Sequence, residues 1–384
     1  MNNSIALLFS LVAIGFAQTA AAQKVTTVKS ADHMLMVTEL QGSLKSPWGM
    51  AFLPDRRVLI SQKSGQLLLV SADGRQLLAT LRNLPAVADQ GQGGLLDVAI
   101  DPDFAQNGYV YWSYAEPGTG KQKGLSGTAV ARGRLQGNAL QSMQIIFRQS
   151  PKVTGSGHYG SRLVFGRDKT LFITLGDRQK FTPAQDMGQS IGKIVRINRD
   201  GSLPKDNPKW TQAKALPAIY SLGHRNVQGA ALHPDTGELW VSEHGPQGGD
   251  EINRVRAGGN YGWPVASYGC NYGEPVGNEC RLGGGKHSPK YIEPLSTWVP
   301  ISVAPSNIVF YTGKGFPAWR GDLLMGTLAG TALWRIRFAG SKEVKRERLL
   351  AELGERIRDV ETGPDGFVYL LTDSGKLLRM QALR

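Results

Sequence analysis

With 384 residues, 41% of them hydrophobic and 20% charged, the chain has the composition of a soluble globular protein, which excludes a disordered or fibrous one. Its net charge of +13 suits anionic partners. The Lys and Arg residues are scattered and interleave with no nucleic-acid motif, so nucleic acid is excluded and a small polyanionic ligand is kept.

The chain begins with an apolar run, Ile5 to Phe16, followed by Thr19-Ala20-Ala21-Ala22-Gln23. This pattern reads as a secretory signal, residues 1–22, cleaved after Ala22. The run is shorter than the roughly 20 residues a bilayer core requires, and no other segment is long enough, so no membrane insertion is expected. A periplasmic or secreted protein is the expectation, formed by residues 23–384.

Within those residues one phrase recurs: an apolar alternation, a Pro-Asp or similar turn, a few apolar residues, a small residue and Gly, then another apolar run. Copies centre on Leu53-Pro54-Asp55, Asp101-Pro102-Asp103, Gly166-Arg167-Asp168, His233-Pro234-Asp235, Val309 to Gly313, and Gly363-Pro364-Asp365. The spacing averages roughly 60 residues, longer than the roughly 40 to 50 of common propeller repeats, so long loops must decorate one face. No stretch holds a helical period for long, and short β-branched and aromatic runs alternate with Gly, Asp and Pro turns. These features predict an all-β fold, a six-bladed β-propeller built as a single domain, because radial repetition buries both faces of every blade. A β-sandwich and a β-helix remain the alternatives. The longest insertions are Glu116 to Gly127, Arg178 to Gly188 and Val265 to Pro300.

Chemistry-bearing residues gather in a few glycine-rich segments: Gly91 to Leu96, Gly157 to Leu163, Leu222 to Gly229, and Ser242 to Glu251 with Gly259 to Pro264. Several open or close neighbouring copies of the repeat, so a propeller brings them around one channel. His158 sits in a glycine-rich loop and, as a neutral imidazole, can accept a proton. Arg225 and Asn226 offer a fixed cation and an amide for carboxylate or carbonyl oxygens. Arg356 and Arg358 alternate on a strand and point the same way, as a polyanion site or as a solvated ion-pair cluster. Gly245-Pro246 presents consecutive carbonyls amid Glu243, Asp250 and Glu251, hard donors that suit calcium. The two cysteines, Cys270 and Cys280, flank a short loop and are expected to pair in an oxidising compartment; as half a zinc site they lack a second ligand pair.

The strings Gly-His-Arg-Asn, Gly-Pro-x-x-x-Asp-Glu-Ile-Asn and Gly-Gly-Asn-Tyr-Gly-Trp-Pro, in that order, resemble the soluble quinoprotein glucose dehydrogenase and aldose sugar dehydrogenase family. The likeness runs from about Leu44 to Leu378. It implies a six-bladed propeller that uses pyrroloquinoline quinone (PQQ) and calcium to oxidise an aldose substrate at C1, passing electrons to an external acceptor. By resemblance, His158 is the general base and Arg225 stabilises the developing negative oxygen, while Gln92 and Asn226 complete the cofactor contacts with Arg225. Arg356 and Arg358 match the family's carboxylate-binding arginines. The carbonyls of Gly245 and Pro246 match the cofactor-side calcium ligands, and Glu251 and Tyr261 match a further, structural calcium site.

Two departures stand out. Ala329 takes the place of a family lysine that also holds the cofactor, and Gly157 stands where the glucose-specific branch often has aspartate before the base. Orientation of His158 must therefore come from elsewhere. The rival readings are a calcium-dependent lactonase or other hydrolase, and a propeller that binds protein or glycan through its loops.

Overall fold

Apolar residues on consecutive strand positions point to opposite faces of a sheet, and this chain uses both faces of nearly every strand. In the computed structural model, which describes residues 24–383, Leu59 packs toward one neighbouring sheet and Ile60 toward the other. Tyr111 and Trp112 divide in the same way between two further clusters. Sheets buried on both faces close into a ring, and the expected six-bladed β-propeller is the observed architecture. The expected signal segment lies outside the described residues.

Blade 1 comprises Pro47–Phe52, Val58–Gln62, Gln66–Val70 and Leu77–Thr80, antiparallel and paired in chain order. Blades 2 to 5 repeat the plan, with inner strands Leu95–Ile100, Leu163–Phe165, Val227–Leu232 and Pro305–Phe310. Blade 6 begins with Ile357–Thr362 and continues through Val368–Thr372 and Leu377–Ala382. Its fourth strand, Met34–Gln41, comes from the other end of the chain, with Val37 opposite Met380, and Val25–Lys29 adds a fifth. The six inner strands pack side by side around the channel.

The six recurrent turns of the sequence each connect the first and second strands of one blade. In several of them an Asp side chain accepts from the amide two residues on, as Asp55 does from Arg57 (3.1 Å), Asp168 from Thr170 (3.0 Å) and Asp365 from Phe367 (3.1 Å). The insertion expected over Glu116 to Gly127 is shorter than the sequence suggests, because Glu116 pairs with Gly127 and Pro117 with Ser126 as extensions of two strands.

A hydroxyl stitches most blades to the next. In blade 2, Ser113 Oγ accepts from its own blade's Asp97 amide (2.9 Å) and donates to Ser161 O of blade 3 (2.6 Å). Ser61 and Thr174 do the same for blades 1 and 3, and Ser242 Oγ donates to Ser306 O of blade 5 (2.7 Å). In blade 5 the matching position is Gly326, and Ser306 Oγ reaches Ile357 O instead (2.7 Å). The ladder between first and second strands is interrupted near the same position in blades 1, 2, 4, 5 and 6, which frees inner-strand amides and carbonyls for side-chain partners.

Arg162 spans the channel. Its Nη1 meets Asp97 of blade 2 (2.7 Å) and Asp359 of blade 6 (3.2 Å), its Nε donates to Gln228 O of blade 4 (3.1 Å), and its guanidinium lies 4.5 Å from the Trp48 ring of blade 1. Burial raises the Asp97 carboxyl to about 6 against the opposing charge of Arg162, and it also raises Asp359.

Candidate active site

The site lies at the end of the channel opposite the recurrent turns. Segments leading into inner strands and loops joining second to third strands meet there, so residues distant in sequence become neighbours.

His158 precedes the inner strand of blade 3 and is buried, 6% exposed, with a φ of 51° that L side chains seldom adopt. Its Nδ1 lies 2.6 Å from Asp177 Oδ1, and Asp177 follows the second strand, Leu171–Thr174, of the same blade. The approach is close enough that a Cβ on Gly176 would sit 2.1 Å from His158 O, so only glycine fits. Trp263 Nε1 donates to Asp177 Oδ2 (2.8 Å), and the Asp177 amide donates to Arg225 O (2.7 Å). The orientation that Gly157 cannot give His158 comes from Asp177. Burial, followed by the charge of Arg225, moves the imidazole below its ordinary 6.5, with the hydrogen bond to Asp177 opposing.

Gln92 is exposed and its Oε1 accepts from the His158 amide (2.8 Å), so it ties the blade 2 loop to the base. Arg225 is 5% exposed; its Nη1 donates to His244 O (3.2 Å), its Nε has no partner, and no carboxylate pairs with its guanidinium among the described residues. The ring of Trp263 lies 5.2 Å from that guanidinium. Asn226 is fully buried and accepts from the Gly160 amide (3.2 Å), while its Nδ2 has no partner. A buried, unneutralised cation beside an unpaired amide fits an anionic, oxygen-rich ligand.

Arg356 lies one position before the inner strand of blade 6 and Arg358 within it, yet both converge on Asp373, at 2.9 and 2.8 Å. Arg358 also reaches Gln228 Oε1 across the channel (2.9 Å). Lys63, which the sequence reading passed over, donates to Gly91 O on the same rim, and both burial and Arg358 lower its pKa. Ala329 is exposed on the turn after the second strand of blade 5, Leu323–Thr327, also on this face.

The acids around Gly245-Pro246 are arranged differently from the sequence expectation. Asp250 is occupied by the amides of Gly245 (2.9 Å), Val303 (2.6 Å) and Ala304 (2.7 Å), and Glu243 by His224 Nδ1 (2.9 Å) and the Arg225 amide. Asp250 and Glu243 therefore shape the loop and leave backbone oxygens as the donors available there. A Cβ on Gly245 would lie 2.3 Å from the carbonyls of Gly248 and Gly249, so the tight turn demands glycine. Cys270 and Cys280 form the expected disulfide, and Cys270 pairs with Gln247 beside this turn. Glu251 is buried, with Oε2 accepting from Asn253 (3.1 Å) and Oε1 3.8 Å from His287 Nε2. Burial and the charge of Glu243 push its carboxyl well above the usual range. A small cavity opens between Glu251, Tyr261, Gly245 and Arg225.

The residues singled out by sequence thus face one another in three groups: His158 with Gln92, Arg225 and Asn226; Arg356 with Arg358; and the Gly245-Pro246 turn with Glu251 and Tyr261. Asp177 and Trp263 were missed as site residues. Trp263 lay in a motif already noted, whereas Asp177 lies just before the Arg178 to Gly188 insertion and meets His158 because the two residues flank one antiparallel strand pair.

Comparison with known proteins gives the family. The family described as Glucose / Sorbosone dehydrogenase matches residues 44–379. The chain is 42% identical over 349 residues to the aldose sugar dehydrogenase YliI of Escherichia coli (strain K12), covering 90% of this chain and 92% of that one. The apo-form structure of the soluble aldose sugar dehydrogenase from Escherichia coli superposes with a TM-score of 0.84 at 40% identity, covering 91% of this chain and 100% of that one. A PQQ-bound aldose sugar dehydrogenase from Streptomyces coelicolor gives 0.73 at 28% identity, covering 95% and 99%. The chain belongs to the glucose/sorbosone dehydrogenase family and is an oxidoreductase of the sugar dehydrogenase type.

Proposed function

We propose that this protein oxidises aldose sugars at C1 to the lactone, with PQQ and calcium as cofactors. The observation that carries the reading is the buried His158–Asp177 pair set beside the unneutralised guanidinium of Arg225. When bound, the quinone accepts the hydride of C1 and calcium polarises its carbonyl.

His158 takes the proton of the C1 hydroxyl on Nε2, because Asp177 accepts from Nδ1 and leaves the other nitrogen as the base. Burial keeps the ring neutral and ready at neutral pH. Asp177 then stabilises the imidazolium, and Trp263 holds the second carboxylate oxygen. Arg225 would stabilise the oxygen on which negative charge develops. Arg225, Asn226, Arg356 and Arg358 would hold the cofactor's anionic groups, with Gln92 fixing the loop beside them. The carbonyls of Gly245 and Pro246 would hold the cofactor-side calcium, and Glu251 with Tyr261 a second, structural one. Pro246 O accepts from Ser302 Oγ (3.2 Å), which aligns that donor.

A hydrolase would want free carboxylates around its metal, and Asp250 is committed to backbone amides and Glu243 to the Arg225 amide and the His224 ring. The compartment we infer is periplasmic or extracellular, in keeping with the disulfide.

The test is reconstitution. Apo-protein given calcium and PQQ should bleach the oxidised-quinone absorption on addition of aldose, and replacing the calcium with excess chelator during reconstitution should abolish it. No absorption change with any aldose, or full activity after chelation, would overturn the reading.

A further inference from the structure

The loop after Asp177 combines two features that structure alone does not require. Three non-glycine residues within four positions, Arg178, Gln179 and Phe181, have positive φ, and Phe181 has φ 63° and ψ −86°. For a bulky aromatic this backbone is strained. The same loop leaves the Phe181 side chain 48% exposed on the site face. A hydrophobic anchor holding the loop would be buried, and that task already belongs to Arg178. Its guanidinium donates to Gly157 O (2.8 Å) and Ser126 O (2.9 Å) and covers the Tyr159 ring at 3.8 Å.

Phe181 instead lies against Trp263, with ring centroids 5.5 Å apart and planes tilted by 31°. Trp263 is 4% exposed and is tied through its indole N–H to Asp177, the carboxylate that orients His158. The exposed ring is therefore held rigidly to the base by one indole and one carboxylate. A pyranose has the matching chemistry: polar edges, and ring faces that carry axial C–H groups and favour an aromatic surface.

On the foundation of the dehydrogenase reading, we propose that Phe181 is the platform on which the substrate's six-membered ring rests, setting its reducing carbon against His158. Phe181 is thus a binding and specificity residue for ring-form aldoses.

Two measurements on the calcium- and quinone-loaded protein test this. With 1,5-anhydro-D-glucitol, which lacks the C1 hydroxyl and so binds without turnover, saturation-transfer NMR should mark the axial ring protons in the wild type and lose that transfer in Phe181→Ala. In steady state, Phe181→Ala should raise KM for D-glucose about tenfold, the loss expected for exposing one small apolar contact, and leave kcat within about twofold. Phe181→Tyr should behave as wild type. Phe181→Gly should lose sugar binding while melting at or above the wild-type temperature, because glycine relieves the strained φ. Unchanged KM and unchanged transfer in Phe181→Ala would overturn the platform, as would a fall confined to quinone affinity. A wild type that oxidises no aldose would overturn the dehydrogenase reading alone, since the NMR contact still decides what Phe181 touches.

Discussion

His158 illustrates how much of a site resides in a single pair of atoms. Its proton-accepting nitrogen is defined by the 2.6 Å contact of the other nitrogen with Asp177, and its neutrality by burial. His158→Gln should still bind quinone and calcium but lose about 10²- to 10⁴-fold in quinone reduction by sugar. The pH profile of that step carries the sign. Activity needs the neutral ring, whose pKa is lowered, so the acidic limb should fall below pH 6.5. Asp177→Asn removes the partner that favours the protonated ring, so its limb should move to still lower pH while the maximal rate drops. Stopped-flow reduction across pH checks both, and a wild-type limb above 6.5 would count against the pair. The sequence made the clustering of His158, Arg225 and the Gly245-Pro246 turn legible because each sits in a glycine-rich segment with more polar groups than a turn needs. Asp177 was not legible as the partner, since its neighbourhood with His158 exists only once Leu163–Phe165 and Leu171–Thr174 pair.

At the scale of strands, the recurrent Pro-Asp turns announced six copies and each copy became a blade, while strand ends such as Pro117 and Ser126 ran further than turn-type composition implies. Polar Gly-rich stretches can still pair as strands where a neighbour supplies the hydrogen bonds. The hydroxyl stitches were invisible in the sequence, because a Ser within an apolar strand signals nothing until a bulge in the neighbouring strand turns an amide toward it. Ser113→Ala leaves the Asp97 amide and the Ser161 carbonyl without that partner in a buried interface. A loss of about 1–3 kcal/mol in unfolding free energy is expected. Urea denaturation should report it as a lower midpoint with an unchanged slope.

For the whole molecule, Arg162 acts as a hub that binds blades 1, 2, 4 and 6 to its own. Arg162→Met would leave Asp97 and Asp359 buried without their cation, a change that typically costs about 3–5 kcal/mol. The cost should be larger at pH 7 than at pH 5. Carboxyls whose folded pKa is raised, Asp97 to about 6 even with the arginine present, take up a proton as pH falls, and the uncompensated charge disappears. Unfolding midpoints at the two pH values decide it, and equal losses would remove the charge argument. The ring itself has another consequence, which lies in the pairing of Met34–Gln41 with Leu377–Ala382. Met34–Gln41 pairs locally only with Val25–Lys29, and its other edge has no partner until Leu377–Ala382 exists, so the last blade cannot be completed from local contacts. Closure of the ring must wait for Leu377–Ala382, and every intermediate before that moment carries an open sheet edge available to other chains.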